Sequence, residues 1–213
     1  MTPRQWLRRH DPADHLAVPA DDVAVWLTGQ SSFRHSGLSA AQDALLDVLA
    51  ADGWSTVRAG LPWTATAVRS PYRSEPLPVA SARNAAQWLA ARTDPTFGDD
   101  VARHLGPVLE RTRRRLLVLC GSAGAELLTV GLRRLDPDVA RPSTTVLALG
   151  PVGSLPADVA VHVVRGRTDL LSRWGCRRPS DTVVPGGHLD YAASPDVRRV
   201  LLEVARAARR SHP

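Results

Sequence analysis

Six short aliphatic runs, Val23 to Leu27, Trp54 to Ala59, Leu116 to Cys120, Thr144 to Leu149, Val161 to Arg165 and Asp181 to Val184, are each bounded by Gly or Pro. They are the length of strands, and they are continuous in apolar character instead of alternating. A strand with water on one face would alternate, so these runs predict central strands of a mainly parallel sheet of about six strands, covered by helices on both faces. Helical patterns fill the gaps. Ser39 to Asp52 opens with Ser39 and Gln42 as a capping box, carries Ala41, Leu45, Val48 and Leu49 on one face and stops at Gly53. Further helices are expected over about Ala125 to Leu135 and from Ser194, with Pro195 at its first position, through Val197, Val200, Leu201 and Val204. Strands alternating with helices predict an α/β fold.

At 213 residues the chain suits one domain with a substantial core. Tight alternation fails only over Leu61 to Gly106, a long connection with one helix expected over Ser81 to Ala91. Connections of that length are often lids or binding loops, and this one leaves the carboxyl end of a strand, where open parallel sheets bind ligands. A lid and a structural elaboration both remain open.

The formal charge of +6 does not predict a nucleic-acid partner, because the chain has no Lys and no Ile and a single Asn, Asn84, a bias towards Arg that pervades it. Arg111 to Arg115 is read as the end of a helical pattern. Arg206, Arg209 and Arg210 end the last helix, where cations complement the helix dipole. No stretch approaches the ~20 apolar residues of a membrane span, and the first residues lack the apolar core of a signal peptide, so a cytoplasmic protein is expected. Cys120 and Cys176 are expected to be reduced thiols, without companion ligands for a metal; no cofactor is expected.

One strand-to-helix junction carries chemistry. The run Leu116 to Cys120 breaks into Cys120-Gly-Ser122-Ala-Gly124, the pattern of a nucleophile elbow, in which small neighbours let a serine turn sharply above the sheet. Asp169 and His188 each follow a later aliphatic run, giving the order serine, acid, histidine. The junction also follows a strand and opens a helix as a nucleotide loop would. The chain nevertheless lacks both Gly-x-Gly-x-x-Gly and the Gly-Lys-Ser/Thr of a phosphate loop.

The elbow, Arg165-Gly-Arg-Thr-Asp169 after a strand, and Pro185-Gly-Gly-His188 after the last strand resemble, in order, the three landmarks of the α/β-hydrolase family, in particular its small single-domain serine hydrolases. The resemblance covers roughly residues 20–210. It implies Ser122 as nucleophile, His188 as general base and then acid, and Asp169 as the group that fixes the imidazole tautomer. Asp190 and Asp181 are nearby competitors for the acid. Ala123 would supply one oxyanion N–H. The family's second donor comes from the loop after the first core strand, here Thr28-Gly29-Gln30, with Gln30 as the candidate; such donors contribute about 3 to 4 kcal/mol in the transition state. A plain turn at Gly29 and Ser31 is the rival reading.

Departures from the family are Cys120 in place of the first elbow glycine, Thr28 where many members have histidine, and the loss of the family's first two strands. With only Gly150 to Ala160 between the fourth and fifth strands, any cap must be Leu61 to Gly106. Trp63, Tyr72, Trp88, Phe97 and Trp174 are candidates for an apolar pocket or plain core, and Arg34, Arg69 and Arg73 for an anionic part of a ligand. His10, His15, His104, His162 and His212 are read as structural or solvent-facing, and His35, near the oxyanion loop, likewise. The resemblance thus implies hydrolysis of an ester or thioester, with an acyltransferase using the same residues. A noncatalytic small-molecule or partner-binding protein on the same scaffold is the alternative.

Overall fold

The computed structural model describes residues 1–70, 72–136 and 141–210, so His212 lies outside the described residues. Its centre is one sheet of six strands in the order β2-β1-β3-β4-β5-β6, every neighbouring pair parallel. The strands are β1 (Ala20–Thr28), β2 (Ser55–Val57), β3 (Thr112–Gly121), β4 (Ser143–Leu149), β5 (Ala160–Gly166) and β6 (Thr182–Val184). All six expected runs are strands.

Among the described residues seven helices surround the sheet: α1 (Pro3–Arg8), α2 (Ala40–Ala51), α3 (Leu77–Thr93), α4 (Pro95–Arg111), α5 (Gly124–Arg134), α6 (Leu170–Gly175) and α7 (Pro195–Arg210). Both faces are covered because both faces of the strands are apolar. Val23, Val25 and Leu27 of β1, with Leu116, Val118 and Cys120 of β3, pack with the buried faces of α4 and α5. The alternate residues Ala24, Trp26, Leu117 and Leu119 pack with α2 and α7. The Ser39 capping box on α2 forms as expected, with Ser39 Oγ accepting from Gln42 N–H and Gln42 Oε1 from Ser39 N–H at 2.9 Å.

Two expectations need correction. The connection 61–106 is not one excursion, because its last part, from Pro95, belongs to α4, the crossover helix from β2 to β3. Phe97, Val101, Leu105, Val108 and Leu109 of α4 are buried in the core. Gly98, Gly106 and Pro107 interrupt its pattern and conceal it in the sequence. The basic run also divides: Arg111 ends α4, whereas Arg113 to Arg115 begin β3. Arg115 is buried and meets Asp22 at 3.1 Å; Arg209 of α7 meets the same carboxylate at 3.1 Å, and Arg206 meets Asp52 at 3.2 Å. These arginines therefore join α7 to the amino ends of the strands. No helix among the described residues is long and apolar enough to cross a membrane.

The amino-terminal segment is fixed to α4 through His104, and His15 braces the segment itself. His104 is fully buried, with Nε2 2.9 Å from the Leu7 carbonyl, and His15 Nδ1 accepts from Ala17 N–H at 2.9 Å. Burial lowers both side chains from 6.5 to about 4. The sign follows: both are neutral in the fold, and protonation favours the unfolded chain. Their contribution is full above the unfolded value of 6.5, falls as the pH drops towards 4, and levels off below that. His104 alone is expected to cost about 2 kcal/mol of stability between pH 7 and about pH 5. Urea unfolding at the two pH values checks this, and His104→Gln should flatten the dependence; equal stability at both would contradict it.

Candidate active site

The sharp turn expected at Ser122 is present in the backbone. Ser122 ends the extension of β3 with φ 51°, a left-handed conformation that L-residues avoid and that persists only where its surroundings hold it. The hold comes from both sides: Ser122 N–H donates to the Leu149 carbonyl at 3.3 Å, and Ser122 O accepts from Val152 N–H at 3.0 Å. Gly124 then opens α5 against β1, where a Cβ would lie 2.6 Å from the Leu27 carbonyl carbon. That contact explains the small residue two places after the serine, and the buried Cys120 fits the place two before it.

Loops at the carboxyl ends of β5 and β6 bring the other two residues to Ser122. His188 Nε2 lies 3.0 Å from Ser122 Oγ, and His188 Nδ1 lies 2.9 Å from Asp169 Oδ2 and 3.1 Å from Oδ1. A carboxylate only accepts, so Nδ1 carries the imidazole proton and Nε2 is left to accept from the serine hydroxyl. Ser122 is half-buried and the His188 side chain is 19% exposed, whereas Asp169 is 1% exposed.

Asp169 is supported by donors that sequence reasoning missed. Tyr191 O–H donates to Oδ2 at 2.5 Å and Ser172 N–H, in the first turn of α6, to Oδ1 at 2.9 Å. Tyr191 Oη in turn accepts from Gly166 N–H at 2.7 Å. Burial first, and the bond to Asp169 second, push the phenol well above its ordinary value, so it stays a donor. The signal for Tyr191 was its place three residues after His188. The competing acids are engaged elsewhere: Asp190 accepts from Gly187 N–H at 2.7 Å and shapes the histidine loop, and Asp181 accepts from Val163 N–H at 2.7 Å.

The two candidate oxyanion donors flank the serine differently. Ala123 is the N-cap of α5, where the first backbone N–H groups have no partner within the helix. Thr28 pairs in register with Gly121, so Gly29 and Gln30 leave the sheet beside the elbow. Gln30 N–H is occupied: it donates to Oε1 of Gln87, on α3, at 2.6 Å. The Gln30 side chain ties down its own loop by donating to the carbonyls of Ser32 and, at 2.7 Å, His35. His35 is a loop staple, its Nε2 accepting from Arg73 N–H at 3.1 Å.

The aromatic candidates divide. Trp63 and Phe97 are core residues, whereas Tyr72 and Trp174 are exposed. Trp88 is half-buried on α3 beside Gly153. Arg34, Arg69 and Arg73 are exposed on their loops. Both cysteines are free and buried, and burial pushes the Cys120 thiol far up. Among the described residues no group of three or more His, Cys, Asp or Glu is placed to hold a metal ion.

No protein-family model and no curated protein matches the chain. Solved structures do. Esterase PE8 superposes on 91% of this chain and 95% of its own, with a TM-score of 0.52 at 15% identity. An uncharacterized protein from Bacillus cereus ATCC 10987 matches 91% of this chain with a TM-score of 0.51 at 13% identity, and this chain spans 61% of that protein's length. At such identities the likeness establishes architecture, and the architecture is the α/β-hydrolase fold.

Proposed function

We propose that this α/β-hydrolase fold carries a serine hydrolase that cleaves an ester or thioester through an acyl-enzyme on Ser122. The observation that carries the reading is the hydrogen-bonded line from Ser122 Oγ through His188 to Asp169, with the serine held at positive φ on the elbow. In the first half-reaction Ser122 Oγ attacks the substrate carbonyl while its proton passes to His188 Nε2. Asp169 stabilises the resulting imidazolium, and backbone N–H groups of Ala123 and Gln30 receive the charge on the carbonyl oxygen. Collapse expels the alcohol or thiol, which takes the proton from Nε2. Water, activated by the same nitrogen, then attacks the acyl-serine, and its collapse frees the acid and restores Ser122. An alcohol or amine in place of water would make the same site an acyltransferase.

Intact mass after incubation with a fluorophosphonate tests the reading. One adduct per chain is expected on wild-type protein and none on Ser122→Ala, alongside turnover of p-nitrophenyl esters that only the wild type supports. Folded wild-type protein that neither labels nor turns over esters would sink the proposal and favour a binding protein on the same scaffold.

A further inference from the structure

The group that occupies the Gln30 N–H has the chemistry of a reacting substrate. Gln87 Oε1 is a carbonyl-type oxygen, 2.6 Å from a backbone donor beside the elbow, and it comes from α3, in the middle of the long connection. We propose that Gln87 is the resting occupant of the oxyanion hole and latches α3 as a cover, which the substrate's acyl carbonyl must displace before Ser122 can react. The inference rests on the hydrolase reading and adds a gate to it.

Three observations support a latch over an ordinary core contact. The first is the amide itself. A backbone N–H can only donate, so the oxygen of the Gln87 amide must face Gln30, which leaves Nε2 as a buried donor with no partner among the described residues. An unsatisfied buried donor makes the closed arrangement costly, as suits a contact meant to be exchanged.

The second is how lightly α3 is held. It has the same length as α4, 17 residues, yet buries only Gln87 and Ala91, whereas α4 buries a full core face. Leu77, Val79 and Leu89 of α3 remain exposed, so little apolar area anchors the helix. Its other ties to the active edge run mainly through arginines, with Arg83 also meeting Glu75 at 3.0 Å and lying over the Phe33 ring at 5.4 Å. Arg83 donates to the Ser31 carbonyl at 2.9 Å, and Arg92 lies 3.8 Å from the buried Glu126.

The third is fit at the same edge. Asn84, one turn before Gln87, fills the space a side chain at residue 29 would need, since a Cβ on Gly29 would lie 2.7 Å from Asn84 Oδ1. That oxygen too is buried without a partner among the described residues. Two carboxamides one turn apart on one helix therefore sit on Gly29 and Gln30 of the oxyanion loop.

The test compares wild-type protein with Gln87→Ala by two readouts: the rate of fluorophosphonate labelling at Ser122, and hydrogen exchange over residues 77–93. Gln87→Ala should label about tenfold faster, the worth of one hydrogen bond no longer lost on opening. Exchange in α3 should rise while β3 and β4 stay protected. Gln87→Met keeps the volume without the acceptor and should move both readouts in the same direction. Labelling at an unchanged rate with α3 released would overturn the proposal, because the hole would then not have been blocked. Slower labelling would overturn it by making Gln87 a helper of the reaction. Unchanged α3 exchange would overturn the latch directly. Release of α3 in a protein that never labels would support the latch while defeating the hydrolase reading.

Discussion

Asp169→Asn should lower ester turnover and fluorophosphonate labelling by about 10⁴ while leaving the fold intact, the scale of loss when a triad carboxylate becomes an amide. The reason lies in which donors surround the carboxyl group. Ser172 N–H is a fixed backbone donor to Oδ1, so the amide oxygen of an asparagine must turn towards it. The NH2 then faces Tyr191 and His188, where Oδ2 had accepted from both. Tyr191 can rotate its hydroxyl, but the imidazole answers a donor at Nδ1 by moving its proton to Nε2. That nitrogen can no longer accept from Ser122 Oγ, now 3.0 Å away with nothing to remove its proton. The near-isosteric change should shift the thermal midpoint little, which separates this loss from unfolding. Asp190→Asn is the control: its carboxylate serves Gly187 N–H in the turn, so its effect should stay well below that of Asp169→Asn. A loss of less than tenfold at Asp169 would remove it from the acid role.

The parts legible in the sequence are those governed by local pattern. A parallel strand buried on both faces writes a continuous aliphatic run, and each of the six did so. An elbow writes small residues around Ser122 because α5 must start in contact with β1, and loops at the carboxyl ends of β5 and β6 carry Asp169 and His188 to the same edge. Hidden from the sequence were contacts that depend on elements far apart in the chain. Gln87 reaches Gln30 across 57 positions, and nothing around Gln87 marks it except a helix with little apolar face. Tyr191 is bound to both Asp169 and Gly166, a role fixed only once β5 and the 3₁₀ turn Tyr191–Ala193 meet. The division of the long connection into a lightly held α3 and a core α4 was hidden for a third reason: Gly98, Gly106 and Pro107 weaken the helical pattern where burial, not propensity, decides the outcome.

That same weight of packing over propensity gives different expectations for two helical glycines. Gly124→Ala should destabilise the protein by more than about 4 kcal/mol or prevent folding, although alanine is the better helix former by roughly 0.5 to 1 kcal/mol. The added methyl would lie 2.6 Å from the Leu27 carbonyl carbon and 3.1 Å from Thr28 Cα, and closer still to the Leu27 oxygen. These are backbone atoms of a central strand, with no rotamer to change. Relief requires α5 to withdraw from β1, and because Ser122 and Ala123 lie in the turn between β3 and α5, withdrawal would also carry the hydroxyl away from His188. Any folded fraction should therefore label poorly as well as unfold early. Gly106→Ala in α4 meets nothing within 4 Å beyond its chain neighbours, but the Pro107 ring crowds a Cβ on the residue before it, which offsets the helical gain, so the change should stay within about 1 kcal/mol of the wild type. Urea unfolding of the pair measures both, and Gly124→Ala within 1 kcal/mol of the wild type would show that the elbow is not wedged against β1.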